Sequence, residues 1–343
     1  MAYSIKNAKC SFPFEAISID PNGNVCTCCR SWINDYFLGN IFEESLVEIW
    51  NGKKAQDLRA SILDGSFKFC SREYCNYLAN NNFESYDSDL DIVMNKMPLF
   101  VKLSYDKECN IACRICRDEV IKNSKEEMEK LDNFFEKFIL PALKDAKIIT
   151  ISAQGDPFGS RHSRKTIKKI VETYPNIKFD FHTNGILCDI NLLERLGVKD
   201  KIHKMLISVS AVTPQTYGKM VINGEKLFQK LKNNLEMIGK LKKEQNFDFY
   251  IHFIVSSKNY QEMAQFIDFA ESFGAVPCFW EFNFQCVWSA KNVDESWAIT
   301  NKNHPEHAKL LEILKDKRFR KYKMNISPVL WNLIEEAQNT DNQ

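Results

Sequence analysis

The stretch Ser104-Tyr105-Asp106-Lys107-Glu108-Cys109-Asn110-Ile111-Ala112-Cys113-Arg114-Ile115-Cys116-Arg117 decides how the rest of the chain is interpreted. Its three cysteines are spaced x3 and x2, and it directly follows the apolar segment 100–104, which is predicted to be a strand. Three thiolates at this spacing on one loop can bind three irons of a [4Fe–4S] cube and leave the fourth iron open. An open position suits a centre that binds a small molecule. Zinc or no metal is the alternative, although zinc favours repeated C-x2-C pairs.

Apolar strands alternate with amphipathic helices after residue 98. The predicted strands are 100–104, 147–152, 178–182, 205–209, 249–255 and 276–282. Between them, Ser124-x-x-Glu127 is a capping box that predicts a helix start, and an apolar stripe from Met263 to Phe273 predicts a helix that ends at Gly274. This alternation predicts an α/β fold, a partial (β/α)6 TIM-like barrel preceded by a small cysteine-rich domain.

Composition limits the functions that the chain can have. Its 343 residues carry a formal charge of +1, which implies no basic face for nucleic acid. No apolar run approaches the roughly 18–20 residues that a membrane-spanning helix needs, and the first twelve residues lack the apolar core of a secretory signal. A cytoplasmic location, with no membrane and no nucleic-acid partner, is therefore expected. In that compartment, the grouped cysteines among the twelve of the chain indicate metal ligands rather than disulfides.

The x3-x2 cysteine loop at the end of a first barrel strand, with Asn110 after its first cysteine, resembles the radical S-adenosylmethionine (SAM) superfamily. That resemblance implies that Cys109, Cys113 and Cys116 hold a [4Fe–4S] cluster whose open iron chelates SAM. Reductive cleavage of SAM would then give a 5′-deoxyadenosyl radical that abstracts hydrogen from a substrate. Ile115 stands where the family commonly has an aromatic residue.

The same resemblance implies SAM contacts at the ends of the later strands. Gln154-Gly155-Asp156-Pro157 resembles the family's Gly-Gly-Glu-Pro turn, in which the acidic group holds the SAM amino group. Ser208 and Ser210 are expected to emerge on one face of a strand, and His252 is expected either to touch cofactor or substrate or to be a core residue. The full set of predicted cofactor-binding residues is Gln154, Gly155, Asp156, Pro157, Thr183, Asn184, Ser208, Ser210 and His252.

A second group of cysteines precedes the barrel: Cys10, Cys26, Cys28, Cys29, Cys70 and Cys75. A β-hairpin is predicted over residues 17–25 and a helical stretch over 45–62, and the order of motifs resembles the SPASM/twitch auxiliary-cluster module of radical SAM enzymes. By that resemblance Cys10, Cys28, Cys70 and Cys75 hold a second, auxiliary [4Fe–4S] cluster, with Cys29 as the rival to Cys28. A structural zinc is the alternative.

Three segments follow from these patterns. Residues 1–97 are predicted to form the SPASM/twitch-like auxiliary module with its linker, which begins at residue 76. Residues 98–290 are predicted to form the radical SAM partial barrel, and 291–343 a C-terminal helical extension.

The resemblance leaves two types of reaction open. The substrate radical is either oxidised through the auxiliary cluster, as in dehydrogenation, or quenched by a hydrogen donor, as in epimerisation. Cys286 is the first candidate for that donor and Cys188 the second, whereas Cys278 is expected in the core.

The expected substrate is a small molecule such as a sugar, or a peptide, and the absence of a predicted peptide-recognition domain before Cys10 favours small metabolites. The expected partner is an external one-electron reductant such as flavodoxin or ferredoxin. The alternatives are a peptide-modifying maturase and a non-enzymatic iron–sulfur or zinc protein, and the open cysteine triplet argues against the second of these.

Overall fold

The computed structural model describes residues 10–28, 30–72, 74–79, 90–151, 154–284, 287 and 289–339. The described chain divides into two compact units. The first unit comprises Met1–Lys107, Asn123–Gly155 and Ser160–Asp180, and the second comprises Glu108–Lys122, Asp156–Gly159 and Phe181–Gln343. The predicted site residues Cys29 and Cys286 lie outside the described residues.

The described residues of the first unit form five strands and the beginning of a sixth. They are β1 (Ala16–Ile19), β2 (Asn24–Cys26), β3 (Gly39–Asn40), β4 (Phe100–Leu103), β5 (Ile148–Ile151) and β6 (Lys178–Thr183). β1 and β2 pair antiparallel, which confirms the predicted hairpin. Its turn is held by the Asp20 carboxylate, which accepts hydrogen bonds from the backbone of Asn22 and Asn24, and Gly23 supplies the positive φ of 79° that the turn needs.

The hairpin of the first unit is also part of a parallel sheet. β1 pairs parallel with β4, and β4 pairs parallel with β5. The cysteine-rich segment therefore contributes a strand next to the first strand of the predicted barrel, a pairing that local sequence patterns do not reveal.

The described residues of the first unit form these α-helices: α1 (Phe12–Glu15), α2 (Leu46–Asn51), α3 (Lys53–Leu63), α4 (Asn76–Ala79), α5 (Lys125–Phe134) and α6 (Arg161–Thr173). The single helical stretch predicted over 45–62 is two helices, because Gly52 between them has an extended backbone with ψ of 162°. The capping box at Ser124 and Glu127 is confirmed at the start of α5.

The second unit contains the end of β6 and three further strands, β7 (Ile202–Ser208), β8 (Asp248–Val255) and β9 (Val276–Glu281). β7 pairs parallel with β8, and β8 pairs parallel with β9. Its helices are α7 (Ile190–Arg195), α8 (Pro214–Met220), α9 (Gly224–Glu244), α10 (Met263–Ser272), α11 (His307–Leu314) and α12 (Pro328–Asn339). After α10, Gly274 adopts the left-handed backbone, with φ of 70°, that the sequence predicts for a helix end.

The hydrogen-bonded strand order is β3-β2-β1-β4-β5-β6-β7-β8-β9. Over the described residues this order begins at β3 and ends at β9, so the mostly parallel sheet is open rather than closed. The six predicted barrel strands correspond to β4–β9, and the α/β partial-barrel class is confirmed. None of the helices that the structure describes is both long and apolar enough to span a membrane.

Candidate functional site

The three-cysteine loop follows β4 in the chain and is held by backbone hydrogen bonds within the second unit. The Arg114 amide donates to the Met220 carbonyl at 2.8 Å, and the Ile222 amide donates to the Ala112 carbonyl at 2.9 Å. Cys113 also forms an isolated antiparallel bridge with Val221. The turn between α8 and α9 therefore holds the middle of the loop in one conformation.

The three thiols of this loop influence one another electrostatically. Burial raises the pKa of Cys109 to about 11, with further contributions from Asp156 and Cys116. Burial, Cys109 and Cys116 raise the pKa of Cys113 in the same direction. Three thiolates this close together need positive charge to remain ionised, and bound iron supplies it. The donor set therefore fits an iron–sulfur cluster.

Two side chains donate hydrogen bonds to the sulfur atoms of the loop. Arg117 Nε donates to Cys116 Sγ at 3.2 Å, and the Arg117 side chain is buried, with 4% exposed. Asn184 Nδ2 donates to Cys109 Sγ at 3.7 Å and to Asn110 Oδ1 at 3.0 Å. Hydrogen bonds of this kind stabilise thiolates and tune the reduction potential of a cluster that they hold.

Asp156 belongs to the second unit and is buried, with 2% exposed. Its Oδ1 accepts from the amides of Phe158 at 3.0 Å and Gly159 at 2.8 Å. Its Oδ2 accepts from Thr183 Oγ1 and from the Asn184 amide, both at 2.7 Å. These four donors use the four lone-pair positions of a carboxylate. The structure thus gives Asp156 an internal role, which is to hold Asn184 in place beside Cys109.

The Tyr217 side chain on α8 is 1% exposed, and its hydroxyl has no hydrogen-bond partner among the described residues. Its pKa is raised by burial and by the nearby Cys113, Asp156 and Cys109 groups. A buried hydroxyl without a partner is costly, so its position beside the cysteine loop indicates that a bound group completes the site.

Two of the predicted cofactor-binding residues, Ser208 and Ser210, make hydrogen-bond contacts within the protein. Ser208 ends β7, and its hydroxyl lies 3.0 Å from His182 Nε2. Ser210 has a left-handed backbone with φ of 58°, and its Oγ accepts from the Ile254 amide at 3.0 Å. The expectation that Ser208 and Ser210 emerge on one strand face is therefore wrong, because the strand alternation ends at Ser208.

The other predicted residues are placed as follows. Gln154 and Gly155 follow β5 in the first unit and are half-buried, and Pro157 is buried in the second unit. Cys188 is fully buried, and burial together with Asp156 raises the pKa of its thiol. Their contacts with cofactor or substrate remain predictions.

A second cysteine site lies within the first unit. Four thiols line one cavity together with apolar side chains; the cysteines are Cys10, Cys28, Cys70 and Cys75. Burial raises the pKa of Cys10 to about 11 and that of Cys70 to about 12, and other cysteines of the set add to both shifts. The structure therefore brings together the four cysteines that the SPASM resemblance implies, while their role as ligands remains a prediction.

Two neighbouring residues distinguish this cavity further. Cys26 lies outside the lining, and its Sγ is 3.1 Å from the Cys28 carbonyl oxygen. Thr27 lines the cavity, and its buried hydroxyl has no partner among the described residues. An unpartnered hydroxyl in a cavity lined by thiols fits a group with sulfur acceptors.

Among the residues that the structure describes, no three His, Cys, Asp or Glu side chains converge closely enough to hold a single metal ion. The thiolates of a four-iron cube bind different irons, so they lie further apart than the ligands of one zinc ion.

The sequence interpretation missed three residues that the structure places at these sites: Arg117, Tyr217 and Thr27. Arg117 and Thr27 are each next to a predicted ligand in the chain, which was the available signal. Tyr217 lies about a hundred positions from the cysteine loop, and no local pattern connects it to that loop.

The fold and the two cysteine sites fit an iron–sulfur protein of mixed α/β architecture. Residues 10–76 match the SPASM family, an iron-sulfur cluster-binding domain. The chain is 26% identical over 168 residues to the FeMo cofactor biosynthesis protein NifB of Methanocaldococcus infernus. This aligned region covers 44% of this chain and 55% of that protein. The protein of the same name from Methanocaldococcus jannaschii is 27% identical over 133 residues, covering 35% and 43%. The chain thus spans about half the length of these curated relatives.

Solved structures provide further similarities. Streptococcus suis SuiB bound to its precursor peptide SuiA has a TM-score of 0.44 at 12% identity, covering 82% of this chain and 64% of that one. Native anSMEcpe with bound AdoMet has a TM-score of 0.41 at 15% identity, covering 63% and 58%.

The family match gives the chain a SPASM iron–sulfur cluster-binding domain upstream of its partial barrel. The SPASM domain match confirms the module that the cysteine order predicted.

Proposed function

We propose that the protein is an enzyme that cleaves SAM reductively and abstracts a hydrogen atom from a small-molecule substrate, such as a sugar, or from a peptide. The observation that carries this proposal is the arrangement of Cys109, Cys113 and Cys116 on one loop, with Asn184 donating to the first sulfur. This donor set would hold three irons and leave the fourth for SAM. A cluster with one open iron supplies the electron that converts SAM to methionine and a 5′-deoxyadenosyl radical.

The side chains of the second unit would prepare this site. Arg117 and Asn184 donate hydrogen bonds to thiolate sulfur, so negative charge on the ligands is stabilised without solvent. Asp156 fixes the Asn184 backbone and therefore the direction of its amide. The Tyr217 hydroxyl offers a further donor to a group bound beside the loop.

The first unit would contribute the auxiliary cluster. Cys10, Cys28, Cys70 and Cys75 would supply its four ligands, and Thr27 would donate to one of its sulfurs. A centre with four protein ligands has no vacant iron. Such a centre suits the acceptance of the electron that the substrate radical loses when it is oxidised.

The primary experiment compares variants after anaerobic reconstitution. The wild-type chain should hold about eight irons and about eight sulfides, and dithionite with SAM should yield 5′-deoxyadenosine, detected by liquid chromatography and mass spectrometry. Cys113→Ser should lose about half of the iron and all of the product. Cys26→Ser, whose sulfur lies outside the cavity lining, is the matched control and should retain both. Absence of 5′-deoxyadenosine from the fully loaded wild type contradicts the enzyme proposal.

Two reaction types fit this site, and solvent isotope labelling separates them. If a cysteine thiol quenches the substrate radical, as in epimerisation, a reaction in D2O places one deuterium on a product carbon. If the radical is oxidised, it loses an electron and a proton, and the product carries no such deuterium. Cys286 is the first proposed thiol donor and the buried Cys188 the second, and replacing the residue that donates by alanine should abolish the deuterium transfer.

A peptide-modifying maturase is the alternative within the same class. The FeMo cofactor biosynthesis named for the two curated relatives adds metallocofactor assembly as a second candidate, on the strength of the 26% identity over 168 residues. Product analysis separates these functions, because a modified peptide, a modified metabolite and an assembled cluster are chemically distinct.

We also propose a cytoplasmic location and an external one-electron reductant such as flavodoxin or ferredoxin. We propose no nucleic-acid partner, because the formal charge of +1 implies no basic surface that would attract the phosphate backbone. Electron transfer from purified flavodoxin to the reconstituted cluster, followed by visible absorbance, tests the reductant.

A further inference from the structure

Five side chains on adjacent strands of the second unit share one face of the sheet, which we call the neutral face: His182, Ser208, His252, Cys278 and Trp280. Ser208 on β7 and Cys278 on β9 are the register partners of His252 on β8. Side chains two residues apart on a strand point to the same side, so Cys278 and Trp280 lie along one edge of this face.

His252 is the unusual member of the neutral face. It is 8% exposed, and neither of its ring nitrogens has a hydrogen-bond partner among the described residues. Two rings lie beside it: the ring centroids of His182 and Trp280 are 6.1 and 6.0 Å from that of His252, and Trp280 is perpendicular to it. A buried imidazole whose donor and acceptor are both unused is rare, because each was satisfied by water before folding.

The imidazole of His252 is neutral at physiological pH, because burial lowers its pKa to about 4. A neutral imidazole presents one N–H donor and one nitrogen acceptor, which complements a hydroxyl group that both donates and accepts. It does not complement a carboxylate or a phosphate, which only accept.

The side chains of the neutral face carry no formal charge of their own. None of the five neutral-face side chains is Lys, Arg, Asp or Glu. Lys204 and Asp248 are register partners at the opposite end of β7 and β8, four residues from Ser208 and His252. At about 3.3 Å per residue their backbones are roughly 13 Å away along the strands. Burial raises the pKa of the Cys278 thiol, although the Lys204 ammonium still acts to lower it.

Trp280 supplies the apolar part of the same surface, with 55% of its side chain exposed although its ring contacts a buried histidine. An exposed indole beside neutral hydrogen-bonding groups suits a ring that is apolar on its face and hydroxylated at its edge. An extended peptide would instead add a strand at the sheet edge. The Phe279 carbonyl on β9 is already taken there by the Ser327 amide at 2.9 Å.

We propose that His252 binds a hydroxyl group of a neutral, polyhydroxylated ring substrate that stacks on Trp280. The inference rests on the proposed function, since it assigns the substrate class of that enzyme. It uses groups distinct from the cysteine loop, so binding can be measured independently of SAM cleavage.

The experiment measures binding of three probes to the reconstituted, SAM-loaded enzyme by calorimetry and ligand-observed NMR. The probes are myo-inositol, glucose 6-phosphate and the peptide acetyl-Gly-Ser-Gly-amide. We expect saturable binding of myo-inositol only, weakened at least about tenfold in His252→Phe, which keeps the ring but removes both nitrogens. His252→Gln, which restores a donor and an acceptor, should recover part of the affinity. Trp280→Leu should weaken binding as well.

His203→Phe is the matched control, because His203 is an exposed histidine on β7. It should bind myo-inositol as the wild type does. The proposal is overturned if the wild type binds no myo-inositol, if His252→Phe binds it equally well, or if the phosphate or peptide probe binds in a His252-dependent manner. Formation of 5′-deoxyadenosine without probe is followed in parallel. Its loss in the wild type would count against the proposed function, whereas its retention with failed binding counts only against the substrate class.

Discussion

At the scale of single residues, the cysteine loop differs from a bare set of three thiols through its hydrogen bonds. Arg117 places a charged donor, and Asn184 a neutral one, against two different sulfurs. Charge-assisted hydrogen bonds are about twice as strong as neutral ones. Arg117 should therefore affect the cluster more than Asn184 does.

Replacing Arg117 by Leu should lower the reduction potential of the SAM-binding cluster. The positive charge stabilises the more negative, reduced cluster more than the oxidised one, so its removal disfavours reduction. The expected shift is on the order of 60 mV, which corresponds to a tenfold change for one electron. Redox titration followed by electron paramagnetic resonance measures it. Arg114→Leu is the control, since Arg114 is exposed on the same loop and removes the same charge. Equal shifts in both variants would contradict a specific role of the Arg117 hydrogen bond.

Asp156 acts through the hydrogen bonds that both of its carboxylate oxygens accept. In Asp156→Asn one acceptor oxygen becomes a donor that faces two existing donors, either the Phe158 and Gly159 amides or the Thr183 and Asn184 groups. The free energy of unfolding should fall by about 1–3 kcal/mol. Urea unfolding measures this, with the exposed Asp248→Asn as control. An unchanged midpoint would show that the carboxylate is not needed to hold Asn184.

At the scale of secondary-structure elements, Arg59 on α3 connects three segments of the first unit. Its side chain is fully buried and donates to the carbonyls of Pro13 at 2.9 Å, Trp50 at 2.8 Å and Ile92 at 2.9 Å. Its guanidinium also lies 4.3 Å from the Trp50 ring centroid. The position of α3 relative to α1 and α2 thus depends on one side chain.

Arg59→Leu should lower the free energy of unfolding by about 2–4 kcal/mol, because several buried carbonyls lose their donors together. Differential scanning calorimetry of the loaded protein provides the measurement. Lys54→Leu, an exposed change on the same helix, should alter stability by no more than about 0.5 kcal/mol. A comparable loss in the two variants would argue against the bridging role.

At the scale of the whole molecule, the two cysteine sites belong to different compact units. Cys70→Ser should remove the auxiliary cluster and lower the iron content from about eight to about four per chain. The SAM-dependent signal of the remaining cluster should persist in electron paramagnetic resonance spectra, since its ligands lie in the second unit. Retention of all iron in Cys70→Ser would exclude this residue as an essential ligand.

The sequence by itself determined much of the architecture. Alternating apolar segments and helix caps predicted β4–β9, the hairpin of β1 and β2 and the start of α5, because periodicity and capping are local properties. The spacing of Cys109, Cys113 and Cys116 predicted a cluster loop for the same reason. The order of the upstream cysteines predicted the SPASM module.

Only the tertiary structure decided which distant groups meet. The parallel pairing of β1 with β4, the four donors on Asp156, the buried hydroxyl of Tyr217 and the unpartnered imidazole of His252 all depend on contacts between segments far apart in the chain. At Ser210 a prediction from the local pattern failed, because its left-handed backbone interrupts the strand alternation that the sequence predicts. Local patterns specify elements, whereas burial and hydrogen-bond saturation are properties of the folded chain, and these assign roles to residues within a site.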